Sequence, residues 1–172
     1  NLMQHADSEM QRMQAVYRAQ IGTTEADHLS AFMNGQVPPK LLTQTDYTRA
    51  FGPIEGPQRF ANYQSVQVMG NDINALKLAT PEQMQATAQK YVPDPAKPGF
   101  ELANQRYAMV LKAIEQVHQS RQQDPVQYAQ QNHIADAAPL DFNDPAKFAA
   151  QIAKRTGVAE TMQARYATPY QM

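Results

Sequence analysis

The stretch from residue 51 to residue 82 constrains the fold of this chain more than any other. Near its start, Gly52-Pro53 predicts a corner, because proline fixes φ and lacks a hydrogen-bond donor. At its end, Thr80 is followed by proline and, two residues later, by Gln83. A hydroxyl cap, a proline at the first helical position and a glutamine at the third predict a helix start. A long helix is therefore expected between this corner and a second helix start.

Apolar side chains recur at helical spacing over most of the chain. Asp124-Pro125 and Asp144-Pro145 repeat the capped start, whereas Gly22 and Gly157 are expected to end helices. We therefore predict an all-α fold, an irregular multi-helix bundle of about seven to eight helices with Pro/Gly corners. The main core stripe is predicted at Phe60, Tyr63, Val66, Met69, Ile73 and Leu76.

Two features predict the domain organisation. Residues 1–21 are expected to form an amphipathic, Met-rich helix, and residues 22–172 a helical domain. Three prolines and a glycine between residues 91 and 99 predict a loop or hinge within that domain, and the last residues are expected to fray towards Thr168-Pro169. Because position 1 is not Met, we expect the chain to be a segment of a larger protein.

The first helix carries the one candidate binding feature of the sequence. Its apolar side chains follow a three-four rhythm for under three heptads. This pattern favours a helix packed on its own domain, with an oligomer seam as the alternative. Since methionine is flexible and adapts to irregular surfaces, the stripe is also a candidate partner-binding site. The candidate residues are Met3, Met10, Met13 and Tyr17.

Composition excludes several classes of chemistry. With 15 Lys and Arg against 16 Asp and Glu, the formal charge is -1, so no overall basic field collects nucleic acid. The chain has no cysteine, which rules out disulfides, thiolate catalysis and cysteine-based zinc sites. No apolar run approaches the length of a membrane span.

No motif predicts a catalytic, cofactor or metal site. The four histidines, His5, His28, His118 and His133, lack metal-ligand spacing, and no phosphate-binding loop is present. Arg106, Lys112 and Arg121 are spread around one helix and are expected to be solvated.

Acidic residues leave one enzymatic alternative open. Two of them could converge in space as an acid and base pair, as glycoside-cleaving enzymes require. The candidates are Asp46, Glu55, Asp72, Glu82, Glu101 and Glu115.

Four motifs together resemble the helical region of large phage virion proteins. In chain order they are GQVPP, FGPIEGPQRFANYQ, DINALKLATPEQMQ and PGFELANQRYAMVLKAIEQVHQSRQQDPVQYAQQ, and the resemblance covers roughly residues 22 to 166. Such proteins include internal, DNA-ejection and tail-associated proteins that often carry a lytic transglycosylase domain. This chain lacks the Glu-Ser motif and the GLMQ-type segment of the enzymatic part.

The resemblance implies a non-enzymatic structural or assembly module of a virion, linked to DNA ejection or cell-wall penetration at the bacterial envelope. Its implied partners are other virion proteins, further copies of itself and peptidoglycan, with no cofactor. Two alternatives remain. One is a cell-wall hydrolase with an unrecognised carboxylate site, and the other is a helical adaptor that docks through its Met-rich first helix. Outside a virion, the bacterial cytoplasm is the expected location.

Overall fold

The computed structural model describes residues 2–167, with only the backbone of Leu2. These residues form an all-α fold with no strand, as predicted. The chain divides into two compact units, Asn1–Asn74 and Ala75–Met172. The helices are α1 (Leu2–Met33), α2 (Gln44–Ala75), a short 3₁₀ helix (Leu76–Leu78), α3 (Pro81–Lys90), α4 (Phe100–Gln123), α5 (Pro125–Gln131) and α6 (Pro145–Tyr166).

The described residues contain six α-helices rather than the expected seven to eight. The reason is that Gly22 and Gly157, predicted as helix ends, both lie inside continuous helices. A lone glycine costs only about 1 kcal/mol in a helix relative to alanine. In α1 the following turns bury Glu25, His28 and Phe32, and that packing offsets the cost. Accordingly, α1 does not end at the predicted boundary after residue 21.

The corner predicted at Gly52-Pro53 is confirmed. Gly52 has φ 89° and ψ 174° and breaks α2 into a short first part and a long second part. A positive φ is accessible to glycine at little cost, and proline at the next position begins the second part. The turn of the second part at Gly56 lies so close to Thr48 that a side chain at Gly56 would meet its backbone.

The first unit packs the second half of α1 against α2. Its core contains Ile21, Phe32, Tyr47, Ala50, Phe51 and Tyr63. The rings of Phe32 and Tyr63 meet edge-on at 5.3 Å between centroids. Nearby, a Cβ on Gly70 would collide with the backbone carbonyl of Phe32. Gly70 therefore lets the two helices approach more closely than any other residue would allow.

The three predicted helix starts of the second unit are confirmed. Thr80 and Gln83 form a complete capping box. Asp124 accepts a hydrogen bond from the backbone of Gln127, and Asp144 accepts two from the first turn of α6. Residues 91–99 lie outside helices, as predicted, and their role as a hinge stays a prediction. The predicted fraying at Thr168-Pro169 lies outside the described residues.

Arg121 is buried at the centre of the second unit, so the prediction that it is solvated was wrong. One guanidinium nitrogen donates to the carbonyls of Leu76, Lys77 and Ala79 at 3.2, 3.1 and 2.9 Å. These carbonyls end the 3₁₀ helix, where partial negative charge accumulates. The guanidinium also lies 3.8 Å from the centroid of the Tyr166 ring.

Two tyrosines complete this arrangement around the same turn. The Tyr128 hydroxyl donates to the carbonyl of Lys77 at 2.8 Å, and the Tyr166 hydroxyl to that of Leu78 at 3.4 Å. Burial raises the pKa of Tyr128, and the neighbouring Arg121 partly offsets that rise. Arg121 and the two tyrosines thus tie α4, α5 and α6 to the end of the 3₁₀ helix.

Substituting two helical glycines with alanine is expected to change stability in opposite directions. Gly22→Ala should raise the free energy of unfolding by about 0.5–1 kcal/mol, because a Cβ there meets nothing within 4 Å. Gly70→Ala should lower it by about 1–3 kcal/mol through the collision with Phe32. Urea unfolding followed by far-UV circular dichroism measures both, and stabilisation by Gly70→Ala would contradict the close contact.

Arg121→Ala is expected to lower the free energy of unfolding by about 3 kcal/mol, because it leaves buried carbonyls without a donor and opens a cavity. Arg121→Lys should recover only part of the lost free energy of unfolding, since an ammonium lacks the planar array of N–H donors of a guanidinium. Lys112→Ala, on the exposed side of α4, serves as the matched control and should stay within about 0.5 kcal/mol of the wild type. Equal effects of Arg121→Ala and Lys112→Ala in urea unfolding would refute the role of Arg121.

Candidate functional site

The first half of α1 buries none of its described side chains. Every side chain from residue 3 to residue 16 is exposed, although the helix continues unbroken to Met33. The expectation that this stripe packs on its own domain was therefore wrong for residues 3–16. Its Ala, Gln and Met residues are strong helix formers, which explains the helix itself. Isolated helices of about 15 residues are nevertheless marginal in water.

Three of the four predicted binding residues are presented to solvent on this half. Met3, Met10 and Met13 are 79%, 65% and 70% exposed, and the fourth, Tyr17, is half-buried. We call these four residues the methionine face. Such exposure of several large apolar side chains at helical spacing is typical of a surface that another molecule covers. The role of the methionine face in binding stays a prediction.

Tyr17 anchors the methionine face to α2. Its hydroxyl donates to Oδ1 of Asp46 at 3.1 Å, and the guanidinium of Arg49 lies 5.1 Å from the centroid of its ring. This arrangement leaves no local signal in the sequence, because Tyr17 and Asp46 are 29 positions apart. Tyr17 is therefore the point where the exposed half of α1 meets the packed half.

An open groove runs along this face, with a volume of about 670 Å³. Its apolar lining comes from Met10, Met13, Val16 and Tyr17. Polar residues, among them Glu9, Arg12 and Arg49, also line it. A groove that combines apolar and charged side chains suits a helix or an extended segment of a protein partner.

Asp46 accepts hydrogen bonds at the start of α2 in addition to the one from Tyr17. Its Oδ2 accepts hydrogen bonds from the backbone N–H of Thr43 at 2.8 Å and from the Thr43 hydroxyl at 2.7 Å. The backbone bond from Thr43, followed by that from its hydroxyl, lowers the pKa of Asp46. Burial, followed by the bond to Asp46, raises the pKa of Tyr17.

The interior of the first unit contains a second cluster of polar groups, and its main members are paired. Glu25 binds Arg59 at 2.8 Å, and the Arg59 guanidinium also lies 3.8 Å from the centroid of the Phe51 ring. The Tyr63 hydroxyl lies 2.8 Å from Nδ1 of His28 and accepts a hydrogen bond from the backbone of Leu42. These contacts join α1, α2 and the segment between them, so the cluster has a structural role.

Tyr47 is the exception in this cluster. Its buried hydroxyl makes no hydrogen bond of good geometry among the described residues. Burial, followed by the negative charge of Glu25, raises the pKa of Tyr47 well above its ordinary value, so the hydroxyl stays neutral.

The structure shows where most of the candidate metal-binding and carboxylate residues lie. Among residues 2–167, no three His, Asp or Glu side chains come together as a metal site requires. Of the six candidate acids, Asp46 is committed to Thr43 and Tyr17, and Glu55 pairs with Arg18 and Arg59. Glu82, Glu101 and Glu115 are exposed.

Comparisons of the chain with protein-family models, curated proteins and solved structures find no match. The similarity to phage virion proteins therefore rests on the four sequence motifs and stays a prediction. No helix within the described part of the chain combines the length and the apolar character that crossing a membrane demands.

Replacing Asp46 with asparagine is expected to change how stability depends on pH. A carboxyl with a lowered pKa stabilises the folded state above its ordinary value of 3.8, and this stabilisation is lost as the pH falls through the lowered pKa. Asp46→Asn should therefore be less stable than the wild type at neutral pH, and the difference should shrink towards about pH 2.

Urea midpoints measured across this pH range provide the test. The exposed Asp27, on α1, supplies the control, and Asp27→Asn should follow the wild-type curve throughout. A wild-type to Asp46→Asn difference that stays constant down to the lowest pH would show that the carboxylate bonds to Thr43 do not contribute.

Proposed function

We propose that this chain is a non-enzymatic assembly module of a phage virion protein and that it docks through the methionine face. In this proposal it acts in the virion at the bacterial envelope, during DNA ejection or cell-wall penetration. The docking part of the proposal rests on the exposure of the first half of α1. A continuous helix of 32 residues leaves its whole first half exposed while presenting Met3, Met10 and Met13.

The physical cost of this exposure supports docking. Burying a methionine side chain is worth about 1.5–3 kcal/mol, and three of them remain in solvent on one face. An isolated helical segment of this length is also only marginally stable in water. A partner that covers the methionine face would bury the methionines and stabilise the helix.

The carboxylate alternative is less well supported. A glycoside-cleaving enzyme needs a general acid of raised pKa facing a second carboxylate across the substrate. Here the pKa of Asp46 is lowered, and the buried Glu25 is paired with Arg59. The adaptor alternative shares the methionine face, so it differs from the main proposal only in its partner and location.

The finer architecture belongs to the same proposal. We take the helices as irregular bundles joined at corners, with Gly52 as one corner and residues 91–99 as a hinge. Loops with few buried contacts open at lower free energy than packed helices. Such hinges would let a virion protein rearrange as it passes through a narrow tail.

The virion part is tested with purified phage particles from the source of this sequence. Mass spectrometry should detect peptides of this chain in the particles. Particles assembled with the Met10→Asp, Met13→Asp chain should contain at least about tenfold less of it, since two charges on the docking face oppose burial. Val68→Asp, at an exposed apolar position of α2, is the control and should be incorporated normally.

The non-enzymatic part is tested by turbidity. The purified chain should not clear a suspension of cell walls. Clearing that disappears when one acid is replaced would establish the hydrolase instead, and absence of the chain from the particles would refute the virion assignment.

A further inference from the structure

The methionine face continues into a regular seam. Met3, Ala6, Met10, Met13, Tyr17 and Gln20 are separated alternately by three and four residues, which is the repeat of a helix that pairs with another helix. All six lie on one uninterrupted helix, α1. The seam spans about 27 Å at 1.5 Å per residue. We infer that a second copy of this chain covers this seam, with the two α1 helices antiparallel. This inference rests on the proposed docking role of the methionine face.

Side-chain size supports the antiparallel arrangement. With the two-fold axis between residues 11 and 12, Met10 packs against Met13 of the second copy. Ala6 packs against the exposed part of Tyr17 of the second copy, whose remainder packs on its own core. A small residue thus faces the largest one, and flexible methionines fill the centre. In a parallel pair each residue faces its own counterpart, so two Tyr17 rings meet while two Ala6 residues leave a gap.

The distribution of charge also supports the antiparallel arrangement. The acids Asp7 and Glu9 lie in the first part of the seam region. Arg49, beside the Tyr17 ring, places a cation at the other end of the groove. In the antiparallel pair, Ala6 of the second copy faces Tyr17, so the adjacent Asp7 comes alongside Arg49.

A parallel pair reverses this match. It would place acids beside acids at one end and Arg49 beside Arg49 at the other, and like charges in close proximity are destabilising. The seam is therefore complementary to itself under a two-fold rotation. Such a surface needs no partner of different sequence, and two-fold homodimers are the commonest protein oligomers.

Sedimentation tests whether the second copy binds. The full chain should sediment as a dimer with twice the mass of the 19.2 kDa monomer. Met10→Asp, Met13→Asp should weaken dimerisation at least about a hundredfold, because the seam would bury charges against each other. In dilute solution, where both chains are monomeric, far-UV circular dichroism and the urea midpoint of the double variant should match those of the wild type, since both side chains are exposed in the monomer. Val68→Asp should remain dimeric.

Crosslinking tests the orientation, and the absence of native cysteine makes it free of background. Met3→Cys and Gln20→Cys are two single variants at exposed positions. When they are mixed and oxidised, an antiparallel pair should form the mixed disulfide dimer, while each variant alone should crosslink little. Efficient crosslinking of each variant with itself would show a parallel pair and overturn the inferred orientation.

The outcomes separate this inference from the proposed function. A wild-type monomer at all concentrations, or a dimer that survives Met10→Asp, Met13→Asp, would overturn pairing through the seam. If that monomer is still incorporated into particles through the methionine face, the docking proposal stands with another virion protein as partner. A seam-dependent antiparallel dimer that is absent from particles would support pairing and refute the virion function.

Discussion

The close contact between the second half of α1 and α2 is the constraint on which the first unit depends. Gly70 lets the helices approach at Phe32, and the contact is extended by the Tyr63–His28 hydrogen bond and the Glu25–Arg59 ion pair. Because one continuous helix carries both halves of α1, the packed second half sets the direction in which the first half extends. The exposed methionine face is thus presented on an element whose other end is anchored in the core.

Several buried polar groups in both units make structural hydrogen bonds or ion pairs. In the second unit, Arg121 satisfies carbonyls at the end of the 3₁₀ helix, and Tyr128 and Tyr166 complete the same turn. In the first unit, Glu25 and His28 join helices. Groups that are committed to structural hydrogen bonds are poor candidates for proton transfer. The functional candidate accordingly lies on the surface, where apolar side chains lack a partner.

Local signals in the sequence were sufficient for the helical class, the caps at Thr80, Asp124 and Asp144, and the corner at Gly52, because each depends on neighbouring residues. The features that were not predicted depend on contacts between residues far apart in the sequence. Packing on α2 carries α1 through Gly22, and Arg121 is buried because a carbonyl cluster 42 to 45 residues away receives it. Its spacing from Val110, Ile114 and Val117 did place Arg121 on the apolar stripe, a signal that charge obscured. The candidate site was predicted as a pattern, but its exposure and the Tyr17–Asp46 anchor needed the structure.

Amide hydrogen exchange along α1, measured as a function of protein concentration, shows whether a second copy covers the methionine face. Backbone amides from residue 18 to residue 33 should be protected at every concentration, because this half is packed in the first unit. Amides from residue 3 to residue 16 should exchange rapidly in dilute solution and become at least about tenfold slower as the concentration rises and the methionine face is covered. Equal protection of both halves in dilute solution, or rapid exchange of residues 3–16 at every concentration, would contradict the account.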